Sequence, residues 1–176
     1  MPLNVSVVWA GFLSNFVVLF MENLRNRLLV IDATVIDFMD RVGIGFLRFA
    51  IGAVFIWFGA LKTVGELSPA YELVAATVYW LTPEIIVPLL GLWEIAIGLA
   101  FLFTPLTRVA IFLLALQMPG TFLPLVLLPE VCFTIFPVAL TIEGQYIVKN
   151  LVIIGAALVI GSRVQALSNS KRSAQS

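Results

Sequence analysis

Five polar side chains lie inside stretches that are otherwise apolar enough to cross a bilayer, and they are Arg48, Glu94, Gln117, Lys149 and Asn150. An ionisable group at membrane depth is costly, and it usually faces the interior of a helix bundle or a water-filled cavity. At about 1.5 Å per residue, Glu94 and Gln117 lie at matching depths, and the Arg48 side chain is long enough to reach toward Glu94. The spacing therefore predicts one connected polar cluster inside a bundle.

This predicted cluster has three interpretations. In the first, which the residues favour, Arg48 and Glu94 neutralise each other while Gln117 and Asn150 hydrogen-bond across helices and stabilise the bundle. In the second, the cluster lines a site for a small ligand or a quinone headgroup, with Glu94 as proton acceptor and Arg48 or Lys149 as anchor. The third is a continuous proton or ion path, which needs more titratable groups than these stretches carry.

Residue types that the sequence lacks exclude several kinds of site. The chain contains no histidine, which excludes histidine-ligated haem, most catalytic zinc sites and Ser-His-Asp triads. Cys132 is the only cysteine, so an internal disulfide and an iron–sulfur cluster are excluded as well. We expect no metal site and no cofactor held through His or Cys, which leaves a diffusible quinone or a partner protein as electron carrier. Cys132 itself is expected to be an inert or lipid-facing thiol.

Composition places the chain in the membrane class. Of its 176 residues, 61% are apolar and 11% are charged, and the net charge is zero. A soluble domain is about 45–50% apolar and about 25% charged. These values exclude a water-soluble globule, a disordered chain and a nucleic-acid-binding module. They predict a single-domain integral membrane protein whose main partner is the lipid bilayer.

Four apolar stretches are long enough to cross a membrane, namely 44–61, 85–103, 109–128 and 146–161. Pro88, Pro119 and Pro124 lie inside such stretches, where we expect them to kink helices. The predicted fold is all-α, a four-helix transmembrane bundle over residues 43–162. An N-terminal hydrophobic and amphipathic region precedes it at 1–42, and a disordered cytoplasmic tail follows at 163–176.

The basic residues predict the orientation of the bundle. Arginines precede the first stretch, Arg108 lies between the second and the third, and further basic residues follow the fourth. The positive-inside rule then places the C-terminus and the Arg108 loop in the cytoplasm. Lys62 ends the first stretch at the outer boundary, where we expect its ammonium group to extend to the headgroups.

Three shorter segments are less regular. Residues 5–21 could form a fifth span or an interfacial helix, and 27–41 is predicted as an amphipathic helix on the cytoplasmic surface. Residues 68–81 are predicted as a short helix over the outer mouth of the bundle. Its apolar face comprises Leu73, Val74, Thr77, Val78 and Leu81.

Four glycines form two pairs, each with a spacing of seven residues: Gly52 with Gly59, and Gly91 with Gly98. That spacing puts both members of a pair on one helix stripe. Small residues on a stripe allow helix backbones to approach closely in membranes. We therefore expect close helix packing at these four positions.

Four stretches resemble bacterial DoxX-like membrane proteins: RFAIGAVFIWFGALK at 48–62, WEIAIG at 93–98, QMPGTFLPLVLLPE at 117–130 and LTIEGQYIVKN at 140–150. The resemblance implies a four-helix bundle in the bacterial inner membrane and association with oxidoreductases. Some relatives are similar to the membrane subunit of a thiosulfate:quinone oxidoreductase, and others act as partners of soluble enzymes in thiol and superoxide defence. The shared polar positions correspond to Arg48, Glu94, Gln117, Lys149 and Asn150, and toward the outer face to Lys62, Glu143, Gln145 and Tyr146.

The leading functional hypothesis is a membrane subunit or quinone-interacting component of a redox or stress-response system. In that case the chain is at most a subunit of a quinone-linked oxidoreductase, with a soluble oxidoreductase as partner. A small-solute transporter or channel is the first alternative. The second is a non-catalytic scaffold that docks a soluble enzyme through residues 27–41. The sequence leaves open whether the chain forms a homo-oligomer.

Overall fold

The computed structural model describes residues 5–64 and 68–173, with side chains for 20–64 and 68–163. The described chain is mostly helical. Its helices are α1 (Val5–Thr63), α2 (Tyr71–Thr77), α3 (Pro83–Leu102), α4 (Thr107–Phe122), α5 (Pro124–Leu127), α6 (Pro129–Cys132), α7 (Ile142–Val148) and α8 (Asn150–Ser173). A 3-10 turn, Thr104–Leu106, joins α3 to α4, and the short strands β1 (Phe133–Ile135) and β2 (Ala139–Leu140) lie between α6 and α7.

Four helical segments among the described residues are long and apolar enough to cross a membrane: Phe20–Thr63, Pro83–Leu102, Thr104–Leu127 and Ile142–Arg163. The prediction of four such segments is confirmed. Pro88 lies inside α3, Pro119 lies inside α4 and Pro124 begins α5. That these prolines kink the helices stays a prediction. The fourth segment is interrupted at Lys149, where α7 ends and α8 begins at the next residue.

The chain divides into two compact units, Met1–Gly43 and Ile44–Ser176, next to the division predicted at 42/43. In the first unit α1 is helical from Val5, and every described side chain from 20 to 43 is exposed. Asp37 and Arg41 form an ion pair of 2.6 Å one helical turn apart on its surface. The side chains of 5–19 lie outside the described residues, so the choice between a fifth span and an interfacial helix stays open.

In the second unit, side chains from α1, α3, α4 and α8 form one buried core. Its members include Ile51, Phe55, Ile97, Phe101, Ala110, Leu114, Ala157 and Ile160. The outer faces of the same helices are also apolar: Trp57, Phe112 and Val152 are 71%, 66% and 74% exposed. Helices that are apolar on both faces are typical of membrane spans.

The predicted close packing of the glycines is confirmed between α1 and α3. A Cβ atom built at Gly59 would lie 2.6 Å from the carbonyl oxygen of Gly91, and one built at Gly98 would lie 2.6 Å from that of Gly52. Neither distance leaves room for a methyl group. The two helices are therefore antiparallel and in backbone contact at two points, Gly52 with Gly98 and Gly59 with Gly91.

A β-hairpin is the main element that the sequence did not predict. β1 and β2 pair antiparallel around a cis Phe136–Pro137 peptide bond. Thr141 then begins α7: its hydroxyl accepts from the Gly144 N–H at 3.2 Å and donates to the Val131 carbonyl at 2.6 Å. Strands of two or three residues are too short to show an alternating pattern, which is why only helices are expected here from the sequence.

The two remaining predicted segments differ in extent from the structure. α2 covers Tyr71–Thr77 rather than 68–81, with Thr77 buried and Leu81 exposed, and it contacts α3 and α5. The backbone of α8 is helical to Ser173, within the tail predicted as disordered at 163–176. The side chains beyond Arg163 and residues 174–176 lie outside the described residues.

Candidate functional site

A buried carboxylate, Glu94 on α3, has both of its oxygens engaged by neighbouring helices. Lys62 Nζ on α1 donates to Glu94 Oε2 at 2.7 Å, and Gln117 Nε2 on α4 donates to Glu94 Oε1 at 3.0 Å. Lys62 and Glu94 are only 8% and 9% exposed. We call Lys62, Glu94 and Gln117 the polar centre; three helices contribute one side chain each.

The direction of helical side chains explains why Lys62 and Glu94 meet. The Cα–Cβ bond of a helical residue tilts toward the helix N-terminus, and α1 and α3 are antiparallel. The Lys62 and Glu94 side chains therefore lean toward one another along the helix axes. Gly91 leaves the space that the lysine stem needs, since a Cβ there would lie 2.9 Å from Lys62 Cβ.

Gln117 lies opposite Glu94 because α3 and α4 are neighbours joined by a short connection. Glu94 is about 12 Å from the C-terminal end of α3, and Gln117 is about 15 Å from the N-terminal end of α4, counted along each helix. Those ends face the same connection, so the two residues have similar depths. The sequence predicts the matching depths of Glu94 and Gln117, and the structure joins them by a hydrogen bond.

The polar centre contains an acceptor with no partner in the described part of the chain. An ionised carboxylate only accepts hydrogen bonds, so the Gln117 amide must turn its NH₂ group to Glu94 and its carbonyl oxygen away. That oxygen, Oε1, is buried and makes no hydrogen bond to any described residue. Leaving a buried acceptor unpaired costs about 1–3 kcal/mol, so the arrangement favours a bound molecule that donates a hydrogen bond there.

Lys149, an exposed residue, places its ammonium group over two aromatic rings. Its Nζ lies 3.8 Å from the centre of the Tyr146 ring and 5.4 Å from that of Phe58, which is a cation–π arrangement bridging α7 and α1. The Lys149 side chain therefore connects the junction of α7 and α8 to α1.

Arg48 does not reach Glu94, so the predicted Arg48–Glu94 ion pair is wrong. Arg48 Nη2 donates instead to the Phe101 carbonyl at 2.9 Å, and Nη1 donates to Thr104 Oγ1 at 3.0 Å. These acceptors lie at the C-terminal end of α3, where backbone carbonyls lack helical partners and a cation is favourable. The Arg48 side chain leans toward the N-terminal end of α1, away from Glu94, as helix geometry requires.

Asn150 does not bond to Gln117 either, and that predicted contact across helices is wrong. Asn150 Nδ2 donates to the carbonyls of Tyr146 and Ile147, at 3.1 and 2.9 Å. α7 ends at Val148, so its last carbonyls need donors from beyond the helix; the Lys149 N–H supplies one and the Asn150 amide another. Asn150 therefore stabilises the junction of α7 and α8.

The predicted extension of Lys62 to the headgroups is also wrong, because its ammonium group is buried against Glu94. The other outer-face candidates lie on α7. Gln145 Nε2 donates weakly to the Leu140 carbonyl at 3.4 Å, Glu143 is exposed, and Tyr146 underlies the Lys149 ammonium. The structure thus brings Tyr146 beside Lys149 and leaves Glu143 and Gln145 next to the hairpin.

Cys132 is completely buried at the end of α6, so it is not a lipid-facing thiol. Burial raises the pKa of the thiol, and the negative charges of Glu143 and Glu130 raise it further. The protonated form of a thiol is a poor nucleophile and a poor metal ligand. Among the described residues, no group of three or more His, Cys, Asp or Glu side chains could hold a metal ion.

Comparison with known proteins assigns the chain to no family. No protein family, curated protein or solved structure matches the chain. The likeness to DoxX-like proteins stays an expectation from the sequence.

Proposed function

We propose that the chain is a multi-pass protein of the bacterial inner membrane, with four helices of a bundle crossing the bilayer. The C-terminus and the Arg108 loop lie on the cytoplasmic side. Four helices of sufficient length and apolarity support this proposal, as do the exposed apolar side chains on the outer faces of those helices. The distribution of arginines supports the orientation.

We propose further that the polar centre binds the headgroup of a quinone, making the chain the quinone-interacting component of a redox or stress-response system. The buried, unpaired Gln117 Oε1 is the observation that carries this proposal. A quinol hydroxyl donates the hydrogen bond that this oxygen lacks. A quinone carbonyl accepts one from an ammonium group, and Lys62 has two N–H bonds beyond the one it donates to Glu94.

The groups of the polar centre have complementary roles in this proposal. Gln117 and Lys62 orient the headgroup. A quinol that is oxidised to the quinone gives up two protons and two electrons; Glu94 accepts the first proton, and the second is released to water at the membrane surface. The electrons pass to a soluble oxidoreductase partner, the class of partner that the resemblance to DoxX-like proteins implies.

Quinone content per protein tests the proposal. The wild-type chain and Gln117→Leu are purified from bacterial membranes in mild detergent, and bound quinone is extracted and quantified by mass spectrometry. Loss of one hydrogen bond to a buried acceptor corresponds to about 1–3 kcal/mol. We therefore expect Gln117→Leu to bind about tenfold less quinone, or more weakly still.

Gln145→Leu is the matched control, because the same side-chain change is made at an exposed position on α7. Arg48→Met is a second control, since Arg48 caps α3 away from the polar centre. Both controls should retain wild-type quinone content. Equal content in Gln117→Leu and the controls, or a wild-type chain that contains no quinone and is not stabilised by an added short-chain quinol, would contradict the proposal.

A further inference from the structure

The first compact unit carries a continuous apolar stripe on α1. Seven residues follow one another at alternating spacings of three and four: Met21, Leu24, Leu28, Ile31, Val35, Phe38 and Val42. Two apolar positions in every seven residues, kept over three repeats, are typical of helices that wrap around one another. Four charged residues that are unusual on the surface of a membrane span lie directly beside the stripe: Arg25, Arg27, Asp32 and Arg41.

Every side chain of this stripe is exposed in the single chain. Exposure ranges from 45% at Leu24 to 64% at Phe38. The opposite side of the helix carries Asn26, Ala33 and Asp40. A row of seven exposed apolar side chains on one helix face indicates a surface that another molecule covers.

We propose that residues 21–42 pair with the same segment of a second copy of this chain, as a parallel coiled coil. The parallel direction is chosen because it brings opposite charges beside the stripe together. The inference rests on the proposed membrane insertion and not on the quinone. Confinement to one membrane also raises the effective concentration of the two segments, which helps a coiled coil of only three repeats to form.

The charges beside the stripe complement one another in this arrangement. When Met21 is assigned to position a of the heptad abcdefg, Arg27 occupies position g. Asp32 then occupies position e of the next heptad. In a parallel coiled coil those two positions lie opposite each other on different helices. Arg27 of each copy then faces Asp32 of the other, so a symmetric pair of helices forms two such ion pairs.

The charge balance argues against a lipid surface as the occupant. Helices that lie on membranes are typically rich in lysine and arginine on their polar face. Residues 20–43 contain three arginines but four acidic residues, Glu22, Asp32, Asp37 and Asp40. A segment with a negative net charge gains nothing from anionic headgroups, whereas the Arg27–Asp32 spacing suits a second copy.

Disulfide trapping in native membranes tests the pairing in the full-length chain. Single cysteines replace Leu28, Ile31 or Val35 on the stripe, and Asn26, Ala33 or Asp40 on the opposite side. The wild-type chain, whose Cys132 is buried, serves as the blank. A disulfide needs Cα atoms within about 4.4–6.8 Å, a condition that only the stripe meets. We expect dimer yields after mild oxidation that are at least about fivefold higher for the stripe than for the opposite side.

Charge reversal tests the register. In the Ile31→Cys chain, Arg27→Asp or Asp32→Arg alone should lower the dimer yield about threefold or more, and the two together should restore it. Equal yields on both sides, or no dimer in membranes that retain the protein after an alkaline wash, would overturn the coiled coil. Quenching of probes at 28, 31 and 35 by lipid-attached quenchers, without dimer, would place the stripe on the bilayer and overturn it too. Quinone content is unaffected by these changes, so the two proposals fail separately.

Discussion

The ion pair between Lys62 and Glu94 joins α1 to α3 inside the second unit, with side chains that are only 11% and 12% exposed. Lys62→Met keeps a long unbranched side chain but leaves the Glu94 carboxylate buried without its cation. Removing one member of a buried pair typically costs about 3–5 kcal/mol, because the remaining charge is desolvated and uncompensated. We expect Lys62→Met to lower the free energy of unfolding by about that amount.

The double variant Lys62→Met/Glu94→Gln separates the lost charge from lost packing. The amide oxygen that Glu94→Gln introduces can still accept from Gln117 Nε2, and no charge is left buried. Replacing a buried ion pair by neutral groups of similar volume is often close to neutral in stability. The double variant should therefore recover at least half of the loss.

The ion pair between Asp37 and Arg41 is the matched control. Its atoms are 2.6 Å apart, against 2.7 Å for the buried pair, but the Arg41 and Asp37 side chains are 74% and 60% exposed. Exposed pairs contribute about 0–1 kcal/mol, so Arg41→Met should cost less than about 1 kcal/mol.

The measurement is unfolding in mixed micelles as the fraction of denaturing detergent is raised, followed by tryptophan fluorescence. It compares the wild-type chain with Lys62→Met, the double variant and Arg41→Met under one set of conditions. Equal losses for Lys62→Met and Arg41→Met, or a double variant no more stable than Lys62→Met, would refute the reasoning.

Three further predictions concern packing, capping and the thiol. Gly91→Ala should destabilise the protein by several kcal/mol in the same unfolding assay, since the new Cβ would lie 2.6 Å from a backbone oxygen. Gly120→Ala is the control: its Cβ enters open space, so the change should be neutral or stabilising. Arg48→Met should cost about 1–3 kcal/mol through loss of charged hydrogen bonds at the end of α3, and a loss within error of zero would contradict the capping role. Cys132 should react slowly with a maleimide at pH 7–8 and faster above its raised pKa, because the folded state holds the thiol proton. Any stability that the protonated thiol contributes is present at low pH and is lost as the pH rises through the folded pKa. Rapid labelling of the folded protein at pH 7 would contradict this.

The sequence was sufficient for features that depend on length, composition and Cα position. The four long apolar helices follow from hydropathy, and close helix packing at Gly52, Gly59, Gly91 and Gly98 follows from glycine spacing. Which glycine contacts which is known only from the structure. Glu94 and Gln117 match in depth because α3 and α4 are sequential neighbours with a short connection. Each of these inferences needs only the rise of a helix and the order of the elements.

Side-chain direction decided what depth alone could not. The Cα atom of Lys62 lies beyond the level of Glu94 on α1, but the lysine side chain leans back toward the carboxylate. The Arg48 side chain leans in the same direction along α1, which takes it away from Glu94 and to the C-terminal end of α3. The tilt of Cβ toward the helix N-terminus, applied to antiparallel helices, would have assigned both partners. The prediction for Asn150 failed for another reason: the break between α7 and α8, which creates its acceptors, has no glycine or proline to mark it.

The glycine contacts between α1 and α3 also restrict how the two helices can move. Where side chains form an interface, rotamer changes absorb small displacements, but carbonyl oxygens resting against neighbouring backbone have no such freedom. Glycine has no side-chain entropy to lose when helices associate, so the contact forms without that penalty. Sliding or rotation of α1 against α3 would therefore be resisted at two levels, Gly52 with Gly98 and Gly59 with Gly91. Because the two contacts fix the position of α1 along α3, they also keep the Lys62 ammonium at hydrogen-bond distance from the Glu94 carboxylate.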